Sequence, residues 1–200
     1  MDDFRSYTGV DFSSRGLEVA EQIMQRRQID ARFVEADVRS LPMADSSFDA
    51  GFSAHMIYHL PTRADQLAAL SEMARVIRPG GVLAVVAANP YPWLFPGRLL
   101  RRMVANAPMA GPAVDRLRRS PPLPYLPLSP RWMAGVLSAW GDAQVLPFDM
   151  ASVWFGQKIS EGHRAGRLAW TGLDRIESAW PRVAAAAGCY ALVVVRRRPS

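Results

Sequence analysis

Two hundred residues, half of them hydrophobic, suffice for one α/β domain with a substantial core and leave little room for a second. The net charge of +6 comes almost wholly from arginine, since Lys158 is the only lysine, and its clusters (Arg98, Arg101 and Arg102; Arg116, Arg118 and Arg119; Arg196 to Arg198) accompany no nucleic-acid recognition motif, so a nucleic-acid partner is not expected. No run approaches the roughly 18 consecutive apolar residues of a spanning helix. The start at Met1 lacks the basic and apolar regions of a signal peptide, which makes the cytoplasm the expected compartment. A single cysteine, Cys189, excludes an internal disulfide and a cysteine metal cluster, and its place in an apolar run reads as a small buried hydrophobe.

Taken in chain order, Tyr7 to Val10 reads as a short strand ending at Asp11, and Ser13 and Ser14 supply hydroxyls suited to capping the next element. Between Gly16 and Arg27, Leu17, Ala20, Ile23 and Met24 recur at three- and four-residue spacing, the pattern of an amphipathic helix. Ala31 to Ala36 and Phe48 to Met56 read as strands. Thr62 can cap a helix with a buried stripe at Leu67, Leu70, Ala74 and Ile77, which Pro79-Gly80-Gly81 would stop. Val82 to Ala88 is a continuous apolar strand of the kind buried on both faces in a parallel sheet.

After Asn89 the pattern changes. Residues 90–130 are rich in proline, arginine and large apolar residues, with helical spacing only at Arg98 to Ala107, and read as an insertion or lid. A helix near Pro130 to Ala139, a strand near Ala143 to Phe148, a helix near Asp174 to Ala187 and a last strand from Tyr190 to Val195 follow. The alternation predicts a Rossmann-like, doubly wound and mostly parallel sheet, with ligands at the carboxyl ends of the strands. A single domain is expected, divided into a cofactor half (1–89), a lid (90–135) and C-terminal strands and helices (136–200).

An acidic residue ending a strand in such a sheet can accept hydrogen bonds from ribose hydroxyls, and Asp11 stands there, although an Asp between a strand and a helix is, taken alone, more often a cap or turn residue. Asp37 with Val38 occupies the same place one strand later. The order TGVDFSS, EADVRSLPMADSSFDAGFSAHMIYHLP and EMARVIRPGGVLAVVAANP, from Tyr7 to Asn89, together with CYALVVVRR near the end, resembles the class I S-adenosylmethionine-dependent methyltransferases, particularly the small-molecule and quinone-type group.

The resemblance implies S-adenosylmethionine as cofactor and no metal. Asp11 would bind the ribose, Phe12 would lie beside the adenosine, and Asp37 and Val38 would contact the adenine. Ser53, Ala54 and His55 would border the methionine part and the methyl. His59 matches the second histidine of the family's frequent HHL segment, with Tyr58 in place of the first, which makes His55 and His59 the candidate catalytic bases. The acceptor would be small or lipophilic, with Tyr91, Trp93, Leu94, Phe95, Trp132 and Trp154 as pocket candidates. Trp93 to Phe95, Leu99, Leu100 and Met103 beside Arg98, Arg101 and Arg102 would form a surface for peripheral membrane contact.

Family members also carry, before the position of Asp11, a first strand with a glycine-rich loop that this sequence lacks there. The strand would lie between those at Tyr7 to Val10 and Phe48 to Met56, so the sequence reads as a fragment, as a sheet that closes up, or as one completed by a partner or a second copy through an exposed edge. Two other functions compete with methyl transfer: a noncatalytic methyltransferase-like partner, and a nicotinamide-dependent oxidoreductase. The oxidoreductase fits worse, because no dinucleotide fingerprint is present.

Overall fold

The computed structural model describes residues 6–90, 126–149 and 164–199, with the backbone alone at Asp149. The elements in order are β1 (Tyr7–Asp11), α1 (Ser14–Arg26), β2 (Ala31–Glu35), β3 (Phe48–Ala54), a 3-10 turn (Ile57–His59), α2 (Arg63–Val76), β4 (Ile77–Ala88), α3 (Pro130–Leu137), β5 (Gly141–Asp149), α4 (Arg164–Ala179), α5 (Pro181–Ala187) and β6 (Tyr190–Arg197). The segment expected to form a lid, with Tyr91, Trp93, Leu94 and Phe95 and the arginines between 98 and 119, lies outside the described residues, as does Trp154.

Ser13 caps α1 by accepting a hydrogen bond from the Gly16 amide, and Thr62 caps α2 by accepting from the Asp65 amide. β1 and β2 pair in parallel as a two-stranded sheet, while β3, β4, β6 and β5 form a second sheet in that order. β3 and β4 are parallel, and β6 alone runs against its neighbours in that sheet. Strand and helix alternate as expected, and the last strand starts at Tyr190, where the sequence placed it.

Three local expectations are corrected. α2 ends at Val76, three residues before Pro79, because Ile77 is already in β4, paired with Phe48 and 1% exposed. Pro79-Gly80-Gly81 therefore belongs to the irregular start of β4, where the register against β3 shifts; a Cβ at Gly81 would sit 2.6 Å from the Asp49 carbonyl oxygen, and Gly80 has φ 77°. The buried face of α2 consists of Gln66, Ala69, Leu70, Met73, Ala74 and Val76, which leaves Leu67 exposed. Finally, the helix expected over 174–187 is two helices, since Pro181 lacks an amide hydrogen and starts a new helix after Trp180.

The core gathers Leu70, Met73 and Ala74 of α2, Leu83, Val85 and Val86 of β4, Met133 and Leu137 of α3, and Val193 and Val195 of β6. Cys189 is buried beside it, as expected. Trp132 packs against this core and lies under the Arg63 guanidinium at 5.0 Å, a structural position rather than one in the cleft described below.

Candidate functional site

A cleft of about 620 Å³ opens between β1 and β3, which are not hydrogen-bonded to each other, and continues toward the carboxyl ends of both strands. That volume falls within the roughly 300–1,000 Å³ usual for small-molecule sites. Asp11, Phe12, Asp37, Val38, Ser53 and Ala54 all line it, so the structure brings together all six positions expected to hold the cofactor. Its deeper wall is apolar, from Phe48, Met56, Met73, Val76, Ile77 and Leu83.

Each polar group has a local reason for its position. Asp11 ends β1, and its Oδ1 accepts from the Ser13 amide at 2.9 Å, an Asx turn that leads the chain into α1. The turn role and a ligand role coexist, because a carboxylate offers about four lone-pair sites. Phe12, next in the chain, is 80% exposed and stands at the mouth.

Asp37 is more committed than the sequence suggested. Its Oδ1 accepts from the Arg39 amide at 2.8 Å, and both oxygens accept from the Arg39 side chain, whose Nη1 also reaches Asp65 at 2.6 Å. Donation by Arg39 holds the Asp37 carboxyl below its usual range, and donation by Thr62, then by Arg39, does the same for Asp65. The two-residue spacing in DVR was the available signal for the local pair, whereas nothing in the sequence shows that α2 supplies Asp65.

The histidines separate. His59 lines the cleft, half-buried, with its ring 4.6 Å from that of Tyr58. His55 does not line it. Its φ is 58°, in the left-handed region, and its ring turns toward Tyr58, Tyr190 and Phe148. The 3-10 turn between them is pinned from below: Gln66, fully buried, donates to the carbonyls of Ile57 at 3.2 Å and Leu126 at 2.8 Å, and the Leu126 amide donates to the Tyr58 carbonyl at 2.7 Å. Asn89 anchors the end of β4 likewise, donating to Ala186 and Gly188 carbonyls. Neither amide was anticipated as a support, although a polar residue inside an apolar stretch is the signal for one. Among the described residues no three potential ligands gather as a metal site, and no helix is long and apolar enough to cross a membrane.

A family model described as a methyltransferase domain matches residues 1–85. A demethylmenaquinone methyltransferase of Deinococcus radiodurans is 31% identical over 160 residues, 75% of this chain and 64% of that protein, and one of Thermus thermophilus is 37% identical over 84 residues, 42% of this chain and 37% of that protein. The chain thus spans about one third to two thirds of these relatives' lengths. In fold it is similar to an S-adenosylmethionine-dependent methyltransferase of Methanosarcina mazei, with a TM-score of 0.58 and 15% identity over 98% of this chain and 83% of that one. The sequence matches, over residues 1–85 for the family model and 160 residues for the Deinococcus protein, and the shared fold make this chain similar to the class I S-adenosylmethionine-dependent methyltransferases.

Proposed function

We propose that the chain binds S-adenosylmethionine in the cleft between β1 and β3 and directs its methyl group to a small, lipophilic acceptor of quinone type. The supporting observation is that six residues, drawn from the ends of β1 and β3 and the segments after β1 and β2, line one cleft of suitable size. The acceptor class rests on the two relatives named demethylmenaquinone methyltransferases.

Asp11 accepts from the ribose hydroxyls through lone pairs that Ser13 leaves open, and Phe12 covers the adenosine at the mouth. Val38 packs on the adenine. Asp37 accepts from its amino group while remaining fixed by Arg39. Ser53 and Ala54 bring the end of β3 against the methionine part. The bound cofactor supplies a methyl already made electrophilic by its sulfonium, so the protein's main work is to align the acceptor and exclude water. Of the two histidines, His59 lines the cleft and takes a proton from an acceptor hydroxyl or acidic carbon, whereas the His55 ring turns from it.

Calorimetric titration of the 200-residue chain with S-adenosylhomocysteine tests this reading. Micromolar binding is expected. Asp11→Ala should weaken it by roughly 10- to 100-fold, corresponding to about 1.5–3 kcal/mol for hydrogen bonds to a charged group. A folded chain that shows no binding overturns the reading.

A further inference from the structure

His55 is unusual for an exposed side chain. Its backbone takes the left-handed conformation directly after β3, which non-glycine residues adopt at a cost and which gathers at functional positions. Its ring nevertheless meets three others: Tyr190 edge-on at 4.7 Å and 85°, Phe148 at 6.1 Å, and Tyr58 at 6.3 Å. Only one of these contacts is also a hydrogen bond, between Nδ1 and the Tyr58 hydroxyl at 3.1 Å.

Tyr58 and Tyr190 are buried, at 6% and 8% exposure, and belong to rigid elements: Tyr58 to the pinned 3-10 turn, Tyr190 to the start of β6, paired with Ala88 of β4. The imidazole therefore leans from the end of β3 across β4 toward β6 and β5, away from the cleft that its neighbours Ala54 and Met56 line. A neutral imidazole has two tautomers, and the partner of one nitrogen decides whether the other donates or accepts.

We propose that Tyr58 is a positioning residue whose hydroxyl, held at Nδ1, fixes the orientation of the His55 ring and biases its tautomer, keeping the imidazole against Tyr190 and Phe148 and out of the cofactor cleft. The ring contacts hold the plane of the imidazole, and among the described residues the Tyr58 hydroxyl, bonded to Nδ1, is what distinguishes its two nitrogens. The consequence for methyl transfer rests on the reading proposed above, whereas the effect on the imidazole does not.

The test uses the full chain with 15N-labelled histidine. Two-bond proton–nitrogen spectra report which ring nitrogen is protonated, and His55→Gln assigns the His55 signals among the three histidines. The wild-type chain should show one dominant His55 tautomer. In Tyr58→Phe both nitrogens should move to averaged shifts, whereas Phe148→Leu, which removes a ring contact and no hydrogen bond, should leave the tautomer in place. With a quinol acceptor, Tyr58→Phe should leave S-adenosylhomocysteine affinity unchanged and lower kcat by less than about 10-fold, below the range of general acid–base contributions, because the His55 ring lies outside the cleft. An unchanged His55 pattern in a folded Tyr58→Phe chain overturns the proposal, and so does a fall in S-adenosylhomocysteine affinity as large as the fall in kcat. If no form of the chain binds S-adenosylhomocysteine, the functional reading fails, and the nitrogen spectra still decide the Tyr58–His55 pair.

Discussion

The β1–α1–β2 unit and the four-stranded body follow the same patterning rules and bury very different amounts of their apolar surface. α1 divides its apolar and polar residues more sharply than α2 does, yet contains no buried residue, with Val19 51% and Ile23 43% exposed. α2, whose division is weak, buries six. Periodicity specifies which face of a helix is apolar, whereas burial depends on whether another layer covers that face. In the body, the sheet, α2 and α3 cover one another; among the described residues, α1 packs mainly on β1 and β2, and β1 is paired with β2 alone.

The largest expected effect separates the two regions by stability. Leu70, fully buried, should cost about 2–5 kcal/mol on replacement by Ala, through lost transfer energy and the cavity left behind. Ile23→Ala should cost within about 0.5 kcal/mol of nothing, as exposed substitutions do. Urea unfolding of both variants measures the contrast. Equal losses would show that α1 is covered in solution and would break the comparison.

Hydrogen exchange should sharpen it. Amides of β4 and β6, paired along seven consecutive residues in the middle of the sheet, are expected to exchange only with global unfolding. Those of β1 and β2 should open earlier, through local fluctuations. Protection in β1 equal to that in β4 would mean that the two sheets unfold as one unit.

The same contrast explains what the sequence made legible. Strand existence, the caps at Ser13 and Thr62, and the six cleft positions are local features: each is written in a few neighbouring residues, and Asp11 and Asp37 stand at strand ends wherever the strands go. The misread places are those decided by tertiary contact. Ile77 joins β4 because Phe48 is there to pair with it, and Leu67 faces solvent because Gln66, one position away, is needed beneath the 3-10 turn. His55 and His59 were indistinguishable as a short-range pair, and the left-handed backbone at His55 turns one ring from the cleft while the other stays in it.

The smallest effect concerns the polar seam joining the two regions. The loop after β2 is tied to α2 by Arg39 to Asp65, by the Leu41 amide donating to Glu72 at 2.8 Å, and by Arg75 donating to the carbonyls of Met43 and Leu41 and to Asp45. Donation by Arg75 lowers the Glu72 carboxyl below its ordinary value of 4.5, as Asp37 and Asp65 are lowered below 3.8. A depressed carboxylate stabilises the folded arrangement in full above its ordinary pKa and loses that contribution as pH falls through the folded value. The seam should therefore be intact above about pH 5 and should weaken on acidification below the ordinary carboxylate values, more readily in high salt, because these groups are partly exposed and surface pairs are screened. Protection factors at the Leu41 amide, compared with those in β4 between pH 5 and pH 3, measure this. Loss at Leu41 while β4 stays protected would show that the β1–α1–β2 unit is held by charge where the body is held by its core; simultaneous loss would show that the seam and the core are one cooperative structure.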